Sequence, residues 1–162
     1  MSKPDDLGQT DVEIHQTYRG IEVIGPCLKV HLTHDSVNSM RGRFKHGISV
    51  STDPVLSSQE AVRIALHYVV TDGGIYGAVK GVRGPVVYVN YHDKVCLADS
   101  VRVGYLIDSN DRYKGGRFLD DVFVNALTGT VVGVHPLDHK GSLNTSSPPN
   151  CCNFPITLKT PD

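Results

Sequence analysis

Hydrophobic and polar residues alternate in the first part of the chain, and this pattern predicts β-structure. Alternate side chains from Val12 to Tyr18 fall on one face of an extended segment, and the residues between them fall on the other face. This is the period-two pattern of a strand with one buried face. Gly20 permits a positive φ or a bulge before the apolar pattern resumes at Ile21. We therefore expect a strand, a break at Gly20 and a second strand, with Gly25-Pro26 as a turn.

Further extended runs predict that strands make up most of the remaining chain. Residues 28–32 and 37–44 predict a hairpin whose turn is His34-Asp35-Ser36. The second half contains runs rich in Val, Tyr and Ile that are separated by turn residues. These runs are residues 86–91, 95–107 with breaks, 118–125 and 130–134. The last two are joined by Ala126-Leu127-Thr128-Gly129, which places a glycine where a hairpin turn requires one.

One helix is predicted between these two groups of strands. Ser57 followed by Glu60 three positions later forms a capping box. Apolar residues then recur at helical spacing: Ala61, Val62, Ala65, Leu66 and Val69. Gly73-Gly74 predicts the end of this helix, because glycine adopts the left-handed conformation at a helix C-terminus without penalty.

Composition narrows the classes of function. The chain has 162 residues, 40% of them hydrophobic and 20% charged, with a formal net charge of −1. These values are typical of a globular protein with one good core or two small ones. The short basic cluster at residues 41–46 indicates a solvated face, so we predict no nucleic-acid partner. No apolar run approaches the length of a membrane-spanning helix, about 20 residues.

The residues that carry common catalytic or metal-site motifs are absent or badly placed. Cys27, Cys96 and the adjacent pair Cys151-Cys152 form no CxxC pattern and have no histidines at zinc-site spacing, and their disulfide pairing stays open. The chain contains neither His-Glu-x-x-His nor Gly-x-Ser-x-Gly. Asp120 and Asp121 are adjacent on a predicted strand, so their side chains should point to opposite faces of the sheet and not form a paired-carboxylate site. We predict a non-enzymatic chain with no metal site and no cofactor.

The segment from His15 to Gly25 resembles the fungalysin/thermolysin propeptide motif of zinc metallopeptidase precursors. In that family a Gln is followed two residues later by a Tyr and then by Gly-Ile-x-Val-x-Gly. The matching residues here are Gln16, Tyr18, Gly20, Ile21, Val23 and Gly25. The resemblance therefore implies a chain that acts on a peptidase as its partner.

A second resemblance covers the end of the strand-rich half. Residues 122–132 resemble the terminal hairpin of the PepSY domain that follows the propeptide motif in these precursors, with Asn125 where the family often has Asp. Together the resemblances imply an α+β fold of two small cystatin-like units, each a helix packed on an antiparallel sheet. The expected boundaries are residues 8–73 for the propeptide unit and 74–140 for the PepSY-like unit, with 141–162 as a linker or disordered tail.

The resemblances also imply a function. The chain would be the propeptide of a secreted thermolysin/fungalysin-like zinc metallopeptidase, acting as chaperone and inhibitor of a catalytic domain bound in cis or in trans. The expected contacts with the zinc cleft are Val134, His135, Pro136, Leu137 and His139, for which a strand end followed by an exposed turn is the alternative. Asn144 lies in a glycosylation sequon compatible with secretion. The polar residues 1–8 contain no secretory signal, so this sequence is either an internal fragment or a free-standing relative.

Three alternatives remain open from the sequence. A free-standing metallopeptidase inhibitor would use the same surfaces without a tether and would need a higher intrinsic affinity. A structural or ligand-binding module is the second, because fold does not fix function. The third is a truncated precursor without independent activity. A pocket with converging polar groups would favour the ligand-binding module.

Overall fold

The fold was analysed in a computed structural model that describes residues 9–33, 36–71, 74–107 and 117–140. These residues form seven strands and one helix. The strands are β1 (Gln9–Tyr18), β2 (Ile21–Thr33), β3 (Ser36–Gly42), β4 (Gly74–Val89), β5 (Val95–Ile107), β6 (Arg117–Asn125) and β7 (Val131–Lys140). The helix, α1 (Ser58–Thr71), lies between β3 and β4. The chain is therefore of the α+β class that we predicted.

The seven strands form one mixed sheet in the order β1-β2-β4-β5-β6-β7, with β3 also paired to β2. We call the antiparallel sheet of β1, β2 and β3 the arm, and the antiparallel strands β4–β7 the main sheet. The two are joined where the beginning of β2 runs parallel to β4 through the pairs Val23↔Val87 and Ile24↔Tyr88. Strand β2 therefore belongs to both sheets.

Helix α1 covers one face of the main sheet. Its buried residues Ala61, Ala65 and Val69 are those that the helical spacing predicted. They form a core cluster with four buried valines of β5 and β6: Val101, Val103, Val122 and Val124. Burial of this apolar surface is the main stabilising contribution to the fold. We call the other face of the main sheet, which carries Ser100 and Arg102 of β5, the helix-distal face.

The predicted helix start is confirmed in atomic detail. The carboxylate of Glu60 accepts hydrogen bonds from the backbone N–H of Ser57 (3.0 Å) and from its hydroxyl (2.8 Å), while Glu60 N–H donates to Ser57 Oγ (3.3 Å). These hydrogen bonds hold the pKa of Glu60 below its ordinary value. The helix ends at Thr71, and Gly74 already begins β4.

Several element boundaries differ from the prediction. Strand β4 begins at Gly74 rather than near residue 86, because its four glycines and Pro85 resemble turn punctuation although they lie in a paired strand. Gly25-Pro26 continues β2 instead of turning. Strand β5 has no break, and β7 extends to Lys140.

The arrangement as two cystatin-like units is not confirmed. The helix follows the arm in sequence, but it packs on β4–β7, and the described ranges contain no second helix. The boundaries 8–73 and 74–140 stay a prediction. Residues 141–162, with Asn144, lie outside the described residues. Across the ranges that are described, no helix is both long enough and apolar enough to cross a membrane.

Candidate functional site

Three of the six motif residues shape the turn between β1 and β2 or attach the arm to neighbouring parts of the chain. Arg19 and Gly20 both have positive φ, 50° and 81°, as in the type I′ turn that suits a two-residue hairpin. The side-chain amide of Gln16 donates to the carbonyl of Lys45 and accepts from its N–H, both at 2.8 Å. Tyr18 packs against the buried cluster at the β2–β4 junction.

The other motif residues form that junction. Val23 is buried in a cluster with Val87 and Val89, and Ile21 packs against the same cluster. At Gly25, with φ of 117°, a Cβ atom would lie 2.6 Å from the carbonyl oxygen of Val89. Only glycine allows β2 to approach β4 this closely. The six motif residues thus have structural roles that attach the arm to the main sheet.

Lys45 makes a second attachment between the arm and the main sheet. Its backbone is held by Gln16 of β1, and its ammonium group pairs with Asp93 in the turn between β4 and β5. Arg43 lies 3.9 Å from the same carboxylate. The segment after β3 therefore connects the arm to the β4–β5 turn by a backbone clamp and ion pairs.

All five predicted peptidase contacts lie in β7, the strand at one end of the sheet order, and not in an exposed turn. An edge strand presents unpaired backbone groups to which another strand can add. Cross-strand pairing sends the neighbouring side chains to alternate faces: Val134 pairs with Val122 and packs on the helix side, whereas His135 pairs with Asp121 on the helix-distal face. Leu137 is exposed.

His135 lies in an aromatic cluster on the helix-distal face. Its Nε2 atom is 3.2 Å from the hydroxyl of Tyr88, and its ring meets the ring of Phe123 edge-on with centroids 4.8 Å apart. Tyr88 and Phe123 are themselves stacked at 4.3 Å. Burial lowers the pKa of His135, an effect that nearby Asp121 opposes, and burial raises the pKa of Tyr88. The unprotonated nitrogen of a neutral imidazole can accept a hydrogen bond from the Tyr88 hydroxyl, whereas an imidazolium can only donate one.

A polar cavity of about 210 Å³ lies beside this cluster. Its lining residues are Lys80, Gly81, Val82, Arg83, Ser100, Arg102 and Asp121. Arg102 makes two hydrogen bonds to Asp121, from Nε at 2.8 Å and from the terminal nitrogen at 3.0 Å. Arg83 lies 3.4 Å from Glu22 of β2. Three cationic side chains therefore surround this space, and among the described lining residues Asp121 is the one acid.

No pattern in the sequence predicted this cavity. Its residues belong to three strands that are far apart in sequence, and one of those strands was not predicted in its first part. A local signal was present in β5, where Ser100 and Arg102 alternate with the buried Val101 and Val103. That alternation indicates a polar face, but it does not indicate which cations from β4 join it.

The carboxylates and histidines of the described residues mostly have separate partners. Asp120 accepts a hydrogen bond from the hydroxyl of Tyr105 (2.7 Å), while its neighbour Asp121 binds Arg102 on the opposite face. His31 pairs with Asp11. Within the described ranges, no group of three or more His, Cys, Asp or Glu residues is arranged to hold a metal ion.

Comparison with known proteins gives one family match. A family model described as the Fungalysin/Thermolysin Propeptide Motif matches residues 2–44, which include the whole arm. A search of curated proteins gives no match. The solved C-terminal domain of YpeB from Bacillus megaterium is similar over 81% of this chain and 52% of its own, with 18% identity and a TM-score of 0.47. This chain thus spans about half of that structure, and the likeness carries no further argument.

Proposed function

We propose that this chain is the propeptide of a secreted thermolysin/fungalysin-like zinc metallopeptidase, and that it assists folding of the catalytic domain and inhibits it until removal. The observation that carries the proposal is the propeptide-family match over residues 2–44. It is supported by the positions of the matched motif residues, which build the turn and junction of the arm. The PepSY-like assignment of residues 74–140 belongs to the same proposal.

The physical basis of both activities is preferential binding to the native peptidase. A segment that binds the native state better than partly folded states stabilises the native state by RT ln(1 + [L]/Kd). A covalent tether raises the effective concentration to about the millimolar range. Inhibition follows where the bound segment covers the zinc cleft. Proteolytic removal of the tether then lowers the effective concentration and releases the active enzyme.

The β7 edge is the surface that we assign to the cleft. It combines exposed Leu137 with the outer side of a strand that ends the sheet order of the described residues. The nearby ring of His135 is held by Tyr88 and Phe123. Peptidase clefts bind extended chains, and an edge strand can pair with such a cleft through main-chain hydrogen bonds.

Inhibition of thermolysin by the purified chain tests the proposal. We expect dose-dependent inhibition at micromolar concentration and a higher yield of active enzyme when denatured thermolysin is refolded with the chain. The chain offers a matched pair of variants, because Leu137 in β7 and Leu127 in the β6–β7 turn are 39% and 38% exposed. Leu137→Lys should weaken inhibition at least tenfold, whereas Leu127→Lys should not change it. Absence of both inhibition and refolding assistance would refute the proposal.

A ligand-binding module is a second candidate, favoured by the polar cavity with its three cations. Inorganic phosphate is a suitable probe, since Lys80 and Arg83 can both reach a small anion in that cavity. Calorimetric titration should give a dissociation constant in the millimolar range, about 4 kcal/mol of binding free energy. The double substitution Lys80→Ala and Arg83→Ala should abolish the heat of phosphate binding. No binding by the parent protein at about 10 mM phosphate would eliminate this candidate.

A further inference from the structure

The two faces of the arm differ sharply in polarity. The cross-strand pairs Ile14↔Leu28, Val12↔Val30, Val30↔Met40 and Leu32↔Val37 place apolar side chains together on one face. Residues that pair directly across a sheet share a face. The apolar face of the arm therefore consists of Val12, Ile14, Leu28, Val30, Leu32, Val37 and Met40.

The opposite face of the same three strands is charged. Asp11 of β1 forms ion pairs with Lys29 (3.2 Å) and His31 of β2, and Glu13 pairs in register with Lys29. Ser39 of β3 also lies on this face, since it pairs in register with His31. A strand with one polar and one apolar face normally packs its apolar face against a further layer.

The two outer strands of the apolar face remain accessible in the described part of the chain, whereas Val30 at its centre is 8% exposed. Val37 and Met40 are 65% and 58% exposed, and Ile14 and Val12 are 42% and 36% exposed. The helix, which could have covered this face, packs on β4–β7 instead. At ordinary residue sizes these four residues expose about 350 Å² of surface on the two strands that flank β2, comparable with the apolar patches of about 300–600 Å² that monomers carry.

We propose that the apolar face of the arm is a docking surface for an apolar surface patch of the peptidase domain, and this rests on the proposed function. The family match supplies the reason for this occupant, because residues 2–44 contain β1, β2 and β3, and thus every residue of the apolar face. The structural roles of the motif residues lie at the turn and junction of the arm. They account for how the arm is held but not for its exposed valines and methionine.

The area of the face favours a tethered partner over a second copy of the chain. Two copies packed face to face would bury about 700 Å², below the 1,200–2,000 Å² of a stable interface. A peptidase domain that is already bound at β7 would bury the area of the apolar face in addition to the area of the β7 contact. The strand order places the arm and β7 at opposite ends of the sheet. At about 4.8 Å per strand they lie about 20–25 Å apart, a span that one catalytic domain can cover.

Charge insertion on β3 tests this surface with a matched control. Met40→Lys and Val37→Lys place an ammonium group on the apolar face, while Ser39→Lys places the same charge on the opposite face of the same strand. All three positions are exposed, so the thermal unfolding midpoints should agree within a few degrees. Inhibition constants against thermolysin would be measured for each variant, with sedimentation velocity of each free chain.

The inference predicts that Met40→Lys and Val37→Lys raise the inhibition constant at least tenfold and that Ser39→Lys leaves it unchanged. If all three variants inhibit thermolysin as strongly as the parent chain, the inference is overturned and the proposed function stays intact. No inhibition by the parent chain would overturn the inference, and the absence of refolding assistance as well would overturn the proposed function. A dimer of the parent chain that Met40→Lys dissociates would show a second copy as the occupant and would overturn the inference. Peroxide oxidation of Met40 provides one more test. If Met40 reacts only after deletion of residues 141–162, the chain's own tail covers the face and the inference is overturned.

Discussion

Gln16 and Lys45 are joined by two hydrogen bonds of 2.8 Å that connect a side-chain amide to the backbone of a residue 29 positions later. The bonds satisfy one donor and one acceptor of a segment that belongs to no strand or helix. Because Lys45 also pairs with Asp93, this contact is part of the connection between the arm and the main sheet. The motif glutamine is therefore explained by the architecture of the chain.

Loss of this amide should destabilise the fold. Gln16→Ala leaves the N–H and carbonyl of Lys45 without their partners, which costs about 1–3 kcal/mol. Gln16→Glu should also destabilise, because it directs a second oxygen toward the Lys45 carbonyl. Urea unfolding at constant pH measures both effects. Thr17→Val, at the exposed neighbouring position, is the control, and an equal loss in that variant would contradict the assigned role of Gln16.

Stability should depend on pH through His135. Burial lowers its pKa from the ordinary value of 6.5, so the folded state favours the neutral ring. Its contribution to stability is full above about pH 6.5 and is lost as the pH falls through that value to the folded-state pKa. Unfolding free energies between pH 7.5 and pH 5 should fall more steeply in the parent protein than in His135→Gln. His67→Gln, on the exposed side of α1, should retain the parental slope.

Gly133 should not tolerate even one additional carbon. A Cβ atom there would lie 2.0 Å from the Tyr88 hydroxyl oxygen and 2.5 Å from the adjacent ring carbon. Gly133→Ala should therefore cost about 1–3 kcal/mol by overpacking the aromatic cluster. Gly81→Ala is the matched control, since no atom lies within 4 Å of its Cβ position. In a double-mutant cycle Tyr88→Leu should remove most of the penalty, and strict additivity would contradict this explanation.

Ser57→Ala should weaken the start of α1. The substitution removes the side-chain oxygen that accepts the N–H of Glu60 and the hydroxyl that donates to its carboxylate. The expected cost is about 1 kcal/mol in thermal or chemical unfolding. Gln59→Ala, at an exposed position in the same turn, should change stability by less than about 0.5 kcal/mol. A similar loss from both substitutions would indicate that the capping box is not the cause.

Local sequence patterns were sufficient for most of the secondary structure. The alternation from Val12 to Tyr18 and the capping box at Ser57 each involve neighbouring residues, so they predict the strand and the helix directly. The side-chain oxygen of Asn125, which stands where the resembled family often has Asp, accepts from the N–H groups of Leu127 and Thr128 at the predicted hairpin turn. Turn and cap chemistry is encoded within three or four residues.

The features that were missed depend on contacts between distant residues. The glycines in the first part of β4 are stabilised by pairing with β5, which overrides their low strand propensity. The parallel pair Val23↔Val87 joins residues 64 positions apart, and no local pattern specifies that register. The cavity bounded by Lys80 and Arg102 depends on the pairing of β4 with β5. The sheet that α1 covers likewise follows from tertiary packing and not from the helix sequence.

The parallel ladder between β2 and β4 has two residue pairs, whereas the ladder between β4 and β5 has twelve. Separating the arm from the main sheet therefore requires fewer broken hydrogen bonds than unfolding the helix-covered core. We expect the arm to open as a sub-global unit, with amide protons of β1 and β3 exchanging sooner than those of β5. In the proposed propeptide role, this order of opening would give proteolytic removal a defined starting point.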